Sequence, residues 1–245
     1  RRTVIENAEE AVYEEKKMEE TEVCFLMDRF GYMRLIDKNA YERNKEAADT
    51  ENRFVFPCKN TGKVCLFTDS GQLYTIKVSD LPYGKFRDKG IPIDNVSNFN
   101  SEKENILFLT SQTELNLRQV LFVTAQSMMK LVDGGEFDVS KRTVAATKLG
   151  ENDRVVCVMT LLEQRNIVLQ TKEGYFLRFA IEEIPEKKKG AIGVRGMKLG
   201  AKDAVEKVYL IQNTVDTSIT YKEKEVVLNH LKPAKRDGKG TKIRV

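Results

Sequence analysis

The strongest constraint on the fold of this chain is an internal repeat. Segments 171–190 (TKEGYFLRFAIEEIPEKKKG) and 221–240 (YKEKEVVLNHLKPAKRDGKG) align without a gap at an offset of 50 residues, and both end in Lys-Gly. Short runs of β-branched and aromatic residues, separated by turn residues, recur from Glu22 onward. A repeat of this length indicates that one supersecondary unit is used several times along the chain.

Each copy of the repeat has the same order of elements: an apolar strand, a tight turn, a second strand, a polar outer stretch and a third apolar strand. The predicted turns lie near Gly31, Gly71, Ser127, Gly174 and Lys224. Their separations of 40, 56, 47 and 50 residues are typical of propeller blades. We therefore predict an all-β, propeller-like disc of about five four-stranded blades. The sequence leaves open whether the disc closes and whether the 96–118 insertion makes a sixth blade.

The N-terminal stretch differs in composition from the repeat. VIENAEEAVYEEKKMEE is rich in Glu and Ala and lacks Gly and Pro, so residues 1–21 are predicted to be a helical or linker segment. Residues 22–245 are predicted to form the propeller. No apolar run approaches the roughly 20 residues that a bilayer span needs, and no secretory signal opens the chain. We expect an intracellular protein without membrane association.

The cysteines favour a reducing compartment. They form no CxxC pair, and three of them stand in the apolar runs VCFLM, VCLF and VVCVM, so buried and unreactive thiols are expected. The four are Cys24, Cys58, Cys65 and Cys157.

No motif indicates a catalytic, cofactor or metal site. Gly190, Gly193 and Gly196 are spaced G-x-x-G-x-x-G, which matches neither the P-loop nor the Rossmann pattern, so a nucleotide site is not expected. His230 is the single histidine of the chain, and no HExxH or GxSxG sequence occurs. We expect no catalytic residue, no metal and no cofactor in this chain.

Positive charge is concentrated in two segments of the chain. Residues 187–200 carry five cations and no carboxylate, and residues 231–245 carry six cations and one aspartate. Residues 1–22 are acidic, with eight glutamates and four cations. Charge that is segregated in this way favours a polyanionic partner, although basic segments also occur as solvated surface.

The basic segments predict a surface for duplex DNA. In a propeller, the outer loop of every blade lies on the rim, so repeated cations there form an arc along which a bent duplex could run. No base-reading helix is predicted, so we expect little sequence preference. The acidic outer stretch of unit one favours a DNA path over the later blades. The candidate DNA-binding residues are Lys85, Arg87, Lys89, Lys141, Arg142, Lys187, Lys188, Lys189, Arg195, Lys198, Lys235, Arg236, Lys239 and Lys242.

Three segments resemble a known family: RFGYMRLIDKNAYER, TDSGQLYTIKVSDLP and TKEGYFLRFAIEEIPEKKKGAIGVRGMKLG. They are similar to repeats of the C-terminal domain of the type IIA topoisomerase A subunit, which is found in gyrase and topoisomerase IV. The opening RRTVIENAEE resembles the connector from the catalytic core. The resemblance implies a β-pinwheel, a disc whose blades exchange strands and whose rim binds and bends duplex DNA.

The resemblance also implies where the chemistry lies. The transesterifying tyrosine, the magnesium site and the ATPase would lie outside this chain, so none of its eight tyrosines would be catalytic. The implied partners are the remainder of the A subunit, together with the ATPase B subunit. The implied location is the bacterial cytoplasm, at the nucleoid.

One family motif separates the two enzymes. The gyrase box, Q-R-R-G-G-K-G, marks the first blade of gyrases, but the outer stretch of unit one (RNKEAADTEN) lacks it. The nearest match is AKRDGKG at 234–240, in the last unit. This favours a topoisomerase IV-like subunit, with gyrase as the alternative. A propeller that binds protein partners and an independent hydrolase remain further alternatives.

Overall fold

The structure, a computed structural model, describes residues 17–244. Most of the predicted connector therefore lies outside the described residues. Residues 17–21 contain no helix or strand. They run beside the turn that connects the last strand of unit one to the first strand of unit two, where the Asn60 side-chain amide donates to the carbonyl of Glu19 over 2.9 Å. No helix in the described part of the chain is both long and apolar enough to cross a membrane.

Units one and two begin with a hairpin of two strands that a short polar turn connects. Their elements are, in chain order, β1 (Glu22–Asp28), β2 (Tyr32–Asp37), α1 (Lys38–Arg43), α2 (Lys45–Glu51), β3 (Asn52–Lys59), β4 (Lys63–Thr68), β5 (Gln72–Lys77), β6 (Tyr83–Gly84), β7 (Ile91–Pro92) and β8 (Ile106–Ser111). A short 3-10 helix follows β5, where the chain leaves the sheet.

Units three to five repeat this order. Their elements are α3 (Gln112–Leu115), β9 (Gln119–Thr124), β10 (Met128–Asp133), β11 (Thr143–Ala145), β12 (Val155–Thr160), β13 (Asn166–Thr171), β14 (Tyr175–Ala180), β15 (Val194–Arg195), β16 (Val205–Ile211), β17 (Ser218–Tyr221), β18 (Lys224–Val227) and β19 (Thr241–Lys242). Further 3-10 helices follow the second strand of each hairpin, at Gly134–Phe137, Ile181–Glu183 and Leu228–His230.

Each of the first four blades is completed by a strand from the next unit. The sheet orders are β3-β1-β2-β6 with β7 also on β2, β8-β4-β5-β11, β12-β9-β10-β15 and β16-β13-β14-β19. In every case the last strand belongs to the following unit and pairs with the second strand of the hairpin. The predicted all-β pinwheel with strand exchange is confirmed.

The fifth blade corrects the prediction of five four-stranded blades. Among the described residues its sheet contains β17 and β18 and no further strand. Its hairpin turn is also shorter, because Lys222 and Glu223 alone separate the paired residues Tyr221 and Lys224. Both turn residues have positive φ, 44° and 64°, as a tight two-residue hairpin requires.

The hydrophobic core lies between successive blades. Successive side chains of a strand point to opposite faces, so each hairpin contributes to two interfaces. Leu66 of β4 packs toward blade one, whereas its neighbour Phe67 packs toward blade three. The Phe67 ring meets the ring of Phe137 edge-on, with centroids 5.0 Å apart. Burial of each such side chain stabilises the fold by about 1.5–3 kcal/mol.

The outward face of blade one is covered by helices. Cys24 and Leu26 of β1 pack with Ala48 of α2, on the face opposite the interface with blade two. The outer stretch of unit one therefore forms α1 and α2 and donates no strand to another blade. The 96–118 insertion supplies β8, the third strand of blade two, and α3, so it makes no sixth blade.

Candidate nucleic-acid interface

The predicted cations lie along the outer edges of blades one to four. There the chain passes beside the second strand of one blade before it returns as the exchanged strand. We call these segments the edge loops: residues 84–90 on blade one, 137–143 on blade two, 187–193 on blade three and 234–240 on blade four. All fourteen candidates lie in an edge loop or within five residues after it.

Three of the edge loops share one backbone frame. Each follows a residue that pairs in parallel with the second strand: Tyr83 with Leu35, Glu186 with Leu131, and Pro233 with Arg178. Seven residues later each loop reaches a glycine in the left-handed region, with φ of 76°, 103° and 73°. These glycines are Gly90, Gly193 and Gly240.

The frame corrects the ungapped alignment of the two repeats. That alignment places Gly190 opposite Gly240, but the structure places Gly193 there, because the hairpin of blade five is three residues shorter than that of blade four. A side chain at Gly193 would collide with the carbonyl oxygen of Met129, whereas Gly190 faces open space. The close approach to the neighbouring strand explains the need for glycine at 193.

Most of the candidate side chains are exposed to solvent. Lys189 and Arg236 are half-buried, and the other twelve are exposed. Ten of the exposed cations form no ion pair within residues 17–244. They are Lys85, Lys89, Lys141, Arg142, Lys187, Lys188, Lys198, Lys235, Lys239 and Lys242.

Two candidates are held by carboxylates. The Nη1 of Arg87 lies 3.1 Å from Oε2 of Glu51, which belongs to α2 of unit one. Arg195 Nη2 donates to Oδ2 of Asp237 over 3.1 Å, and this hydrogen bond lowers the pKa of the Asp237 carboxyl. The positive charge of these two arginines is therefore partly compensated on the surface.

The edge loop of blade four is joined to the segment that leaves blade three. Asp237 N–H donates to the Gly196 carbonyl over 2.7 Å, and Lys198 N–H donates to the Gly238 carbonyl over 2.8 Å. The Arg236 guanidinium donates to the Arg195 carbonyl over 2.9 Å. These contacts bring the cations of blades three and four into one continuous surface.

Buried cations beneath the edge loops were not predicted. Lys130 and Arg34 occupy the same position in β10 and β2, and both donate to carbonyl groups of the loop above them. Arg178 of β14 is half-buried, and it donates to the carbonyls of Asn229 and Leu231, which precede the edge loop of blade four. The signal was available in the sequence, because each is a lone cation within an apolar strand: MMKLV, YMRLI and YFLRFA.

Within residues 17–244 the other reactive groups form no further site. All four cysteines are free, the prediction that they are buried is confirmed, and burial raises the pKa of each thiol to about 12. His230 is exposed and lies 3.6 Å from Asp216. No group of three metal-ligating side chains occurs within the described part of the chain.

Comparison with known proteins identifies the family. The model of the DNA gyrase C-terminal domain, a β-propeller, matches residues 62–102, 118–160 and 165–212, which together make up more than half of the chain. The DNA gyrase A subunit of Lawsonia intracellularis is 28% identical over 207 residues, which are 80% of this chain and 25% of that protein. The chain spans roughly a fifth to a third of the length of the curated relatives it matches.

Two solved structures show the same fold. The C-terminal domain of DNA topoisomerase IV superimposes with a TM-score of 0.79 at 23% identity, over 93% of this chain and 74% of that one. The DNA gyrase A C-terminal domain gives a TM-score of 0.59 at 18% identity, over 90% of this chain and 76% of that one. The family predicted from the repeat motifs is confirmed, and the chain belongs to the DNA gyrase C-terminal domain family of type II topoisomerase A subunits.

Proposed function

We propose that this domain binds duplex DNA on the edge loops of blades one to four and bends it for strand passage by a type II topoisomerase. The observation that carries the proposal is the set of ten exposed cations without an ion pair among the described residues, spread over four consecutive blade edges. Lysines and arginines on phosphates release condensed counterions, and this drives binding without base recognition. The fourteen candidates are the proposed DNA contacts.

Catalysis is proposed to lie elsewhere in the full enzyme. The tyrosine that cleaves DNA, the magnesium site and the ATPase would belong to the rest of the A subunit or to the B subunit. This domain would only bind the DNA and bend it for strand passage. We propose that it acts in the bacterial cytoplasm, at the nucleoid.

We favour a topoisomerase IV-like subunit over gyrase. The stretch of unit one that should contain the gyrase box folds instead into α1 and α2. The higher TM-score to the topoisomerase IV domain supports the same choice. Gyrase stays the second candidate, because the similar curated relatives are gyrase A subunits. Negative supercoiling of relaxed plasmid by the full enzyme would identify gyrase, and relaxation or decatenation alone would identify topoisomerase IV.

The first experiment measures DNA affinity as a function of salt. A fluorescent duplex of about 40 base pairs is titrated with the wild type and with a variant in which Lys187, Lys188 and Lys189 are all changed to Glu. We expect a log–log slope of about 0.9 for each phosphate contact and a large loss of affinity in the variant. Weak binding that does not depend on salt or on the charge reversal would refute the proposal in favour of a protein-binding propeller.

A further inference from the structure

A fully buried lysine lies beneath the edge loop of blade three. Lys130 of β10 has no exposed surface. Its Nζ donates to the carbonyls of Lys188 and Lys189 over 3.0 Å each, and to that of Ala191 over 2.6 Å. An ammonium group has three protons to donate, so its hydrogen-bonding capacity is filled by backbone oxygens of one loop.

The positive charge of Lys130 is stabilised by the dipoles of the three backbone carbonyl groups that it contacts. Among the described residues no carboxylate lies within ion-pair distance of its Nζ. Burial lowers the pKa of Lys130 to about 8, and the charge of Glu136 acts against this shift. Other groups that face it are the ring of Phe122, with its centroid 5.5 Å away, and the backbone of cationic Lys188 and Lys189. At neutral pH the ammonium form therefore predominates.

The inward carbonyls determine where the neighbouring N–H groups point. In a trans peptide the C=O and the following N–H point in opposite directions. The Lys189 carbonyl faces Lys130, so the N–H of Gly190 points away from it, and the Ala191 carbonyl imposes the same direction on Ile192. Neither N–H donates to an acceptor within residues 17–244. Gly190 is exposed, and its α-carbon faces open space.

We propose that Lys130 is a positioning residue that holds loop 187–193 in shape, so that the N–H groups of Gly190 and Ile192 bind one phosphate of the DNA backbone. The exposed side chains of Lys187 and Lys188 flank this site and add charge. Backbone N–H groups are common phosphate ligands in protein–DNA complexes. This inference rests on the proposed DNA binding and names a site within it.

Blade one indicates that arginine fits the same position. Arg34 is the counterpart of Lys130, and its Nε and Nη2 donate to the Phe86 carbonyl over 3.2 and 3.0 Å. Phe86 corresponds to Lys189, since both stand four residues before the left-handed glycine of their loop. The variant Lys130→Arg is therefore expected to retain a buried cation beneath the loop.

The test compares Lys130→Met with Lys130→Arg in the salt titration at pH 7. Since Lys130 is buried, neither substitution removes a surface contact. We expect Lys130→Met to lower the affinity at a fixed salt concentration by roughly tenfold, the loss of hydrogen bonds to one charged phosphate, and Lys130→Arg to keep the wild-type affinity. Wild-type affinity in folded Lys130→Met would overturn the inference, and circular dichroism melts show whether the variant is folded.

Two further measurements, which do not use Lys130→Met, cover the case in which that variant fails to fold. We expect the amide resonances of Gly190 and Ile192 to shift on addition of the duplex; unchanged resonances would overturn the inference. Raising the pH from 7 to 9 is expected to weaken binding by the wild type more than by Lys130→Arg, because only the lysine loses its proton there. Identical pH profiles would count against Lys130.

The inference and the proposed function fail in different ways. If the wild type does not bind the duplex, the proposed function is wrong. The proposed function survives if the wild type binds the duplex and the Lys187–Lys189 charge reversal abolishes binding. If, in that case, Lys130→Met binds like the wild type and the two amide resonances do not shift, the phosphate site is wrong.

Discussion

The edge loops of blades one and three have the same backbone frame and different charge. Each begins beside a parallel pair, Tyr83 with Leu35 or Glu186 with Leu131, and each lies over a buried cation of the second strand. Loop 187–193 contains three lysines and no carboxylate. The counterpart, 84–90, contains three cations and Asp88, and Glu51 of α2 reaches Arg87.

This difference shows that the frame and the charge are set by separate residues. The frame depends on the left-handed glycine, the parallel pair and the buried cation, which both loops retain. The charge depends on side chains that are mostly exposed, such as those of Lys85, Lys187 and Lys188. A pinwheel can therefore keep every edge folded while its blades contribute unequally to DNA binding, which is the situation we expect here.

The largest expected effect comes from reversing charge on each loop separately. Changing Lys187, Lys188 and Lys189 to Glu is expected to weaken duplex binding on the order of a hundredfold, because an ion pair at 4 Å in water contributes about 1 kcal/mol and about 1.4 kcal/mol is tenfold in affinity. The matched change of Lys85, Arg87 and Lys89 should cost roughly tenfold. Equal losses in fluorescence titrations would show that both edges bind alike.

The next largest effect is on the free energy of unfolding, and it tests whether the edge loops of blades one and three have equivalent backbone frames. Gly193→Ala and Gly90→Ala are each expected to lower the free energy of unfolding by at least about 1–2 kcal/mol, because both residues have positive φ and lie against a backbone carbonyl. Thermal melts should fall by about 2–4 °C per kcal/mol.

The control for this prediction lies three residues away. Gly190→Ala is expected to change the free energy of unfolding by no more than about 0.5 kcal/mol, because its added methyl group meets open space. If Gly190→Ala proved as destabilising as Gly193→Ala, the assignment of Gly193 as the counterpart of Gly90 would be wrong.

The smallest expected effect comes from the carboxylate that reaches blade one. Glu51→Gln removes an exposed ion pair of about 0.2–1 kcal/mol and frees Arg87. Duplex affinity should therefore rise by a factor of about 1.4 to 5, which corresponds to that energy range. Glu46→Gln, on the same helix, is the control, because Glu46 forms no ion pair within the described residues. A similar gain in both variants would indicate a general charge effect.

The sequence predicted the architecture because period and turn chemistry are local signals. The turns at Gly31, Gly71, Ser127 and Gly174 all have positive φ in the structure. The strand exchange followed from the family resemblance alone, since two-residue strands such as β7 and β15 leave no hydrophobic pattern of their own.

Other features depended on contacts between distant residues and were missed for that reason. Lys130 stands out in the sequence as a lone cation in an apolar strand, but its hydrogen-bond partners are known only once loop 187–193 is placed over it. The exact partner of Gly240 depended on a three-residue difference in hairpin length, which an ungapped alignment conceals. The regular pattern of the repeat stops at its first and last units. The helices that cover blade one and the two-stranded sheet of blade five lie in these units, so the repeat did not predict them.

Strand exchange has a consequence for the order in which the domain can fold during synthesis. The acceptor strand β2 ends at Asp37, but its partner β7 begins only at Ile91, so about 50 more residues must leave the ribosome before blade one is complete. A delay of 61 to 66 residues recurs for each of the next three blades. A nascent chain therefore always carries one open strand edge, which is a site for misassembly until the following unit arrives.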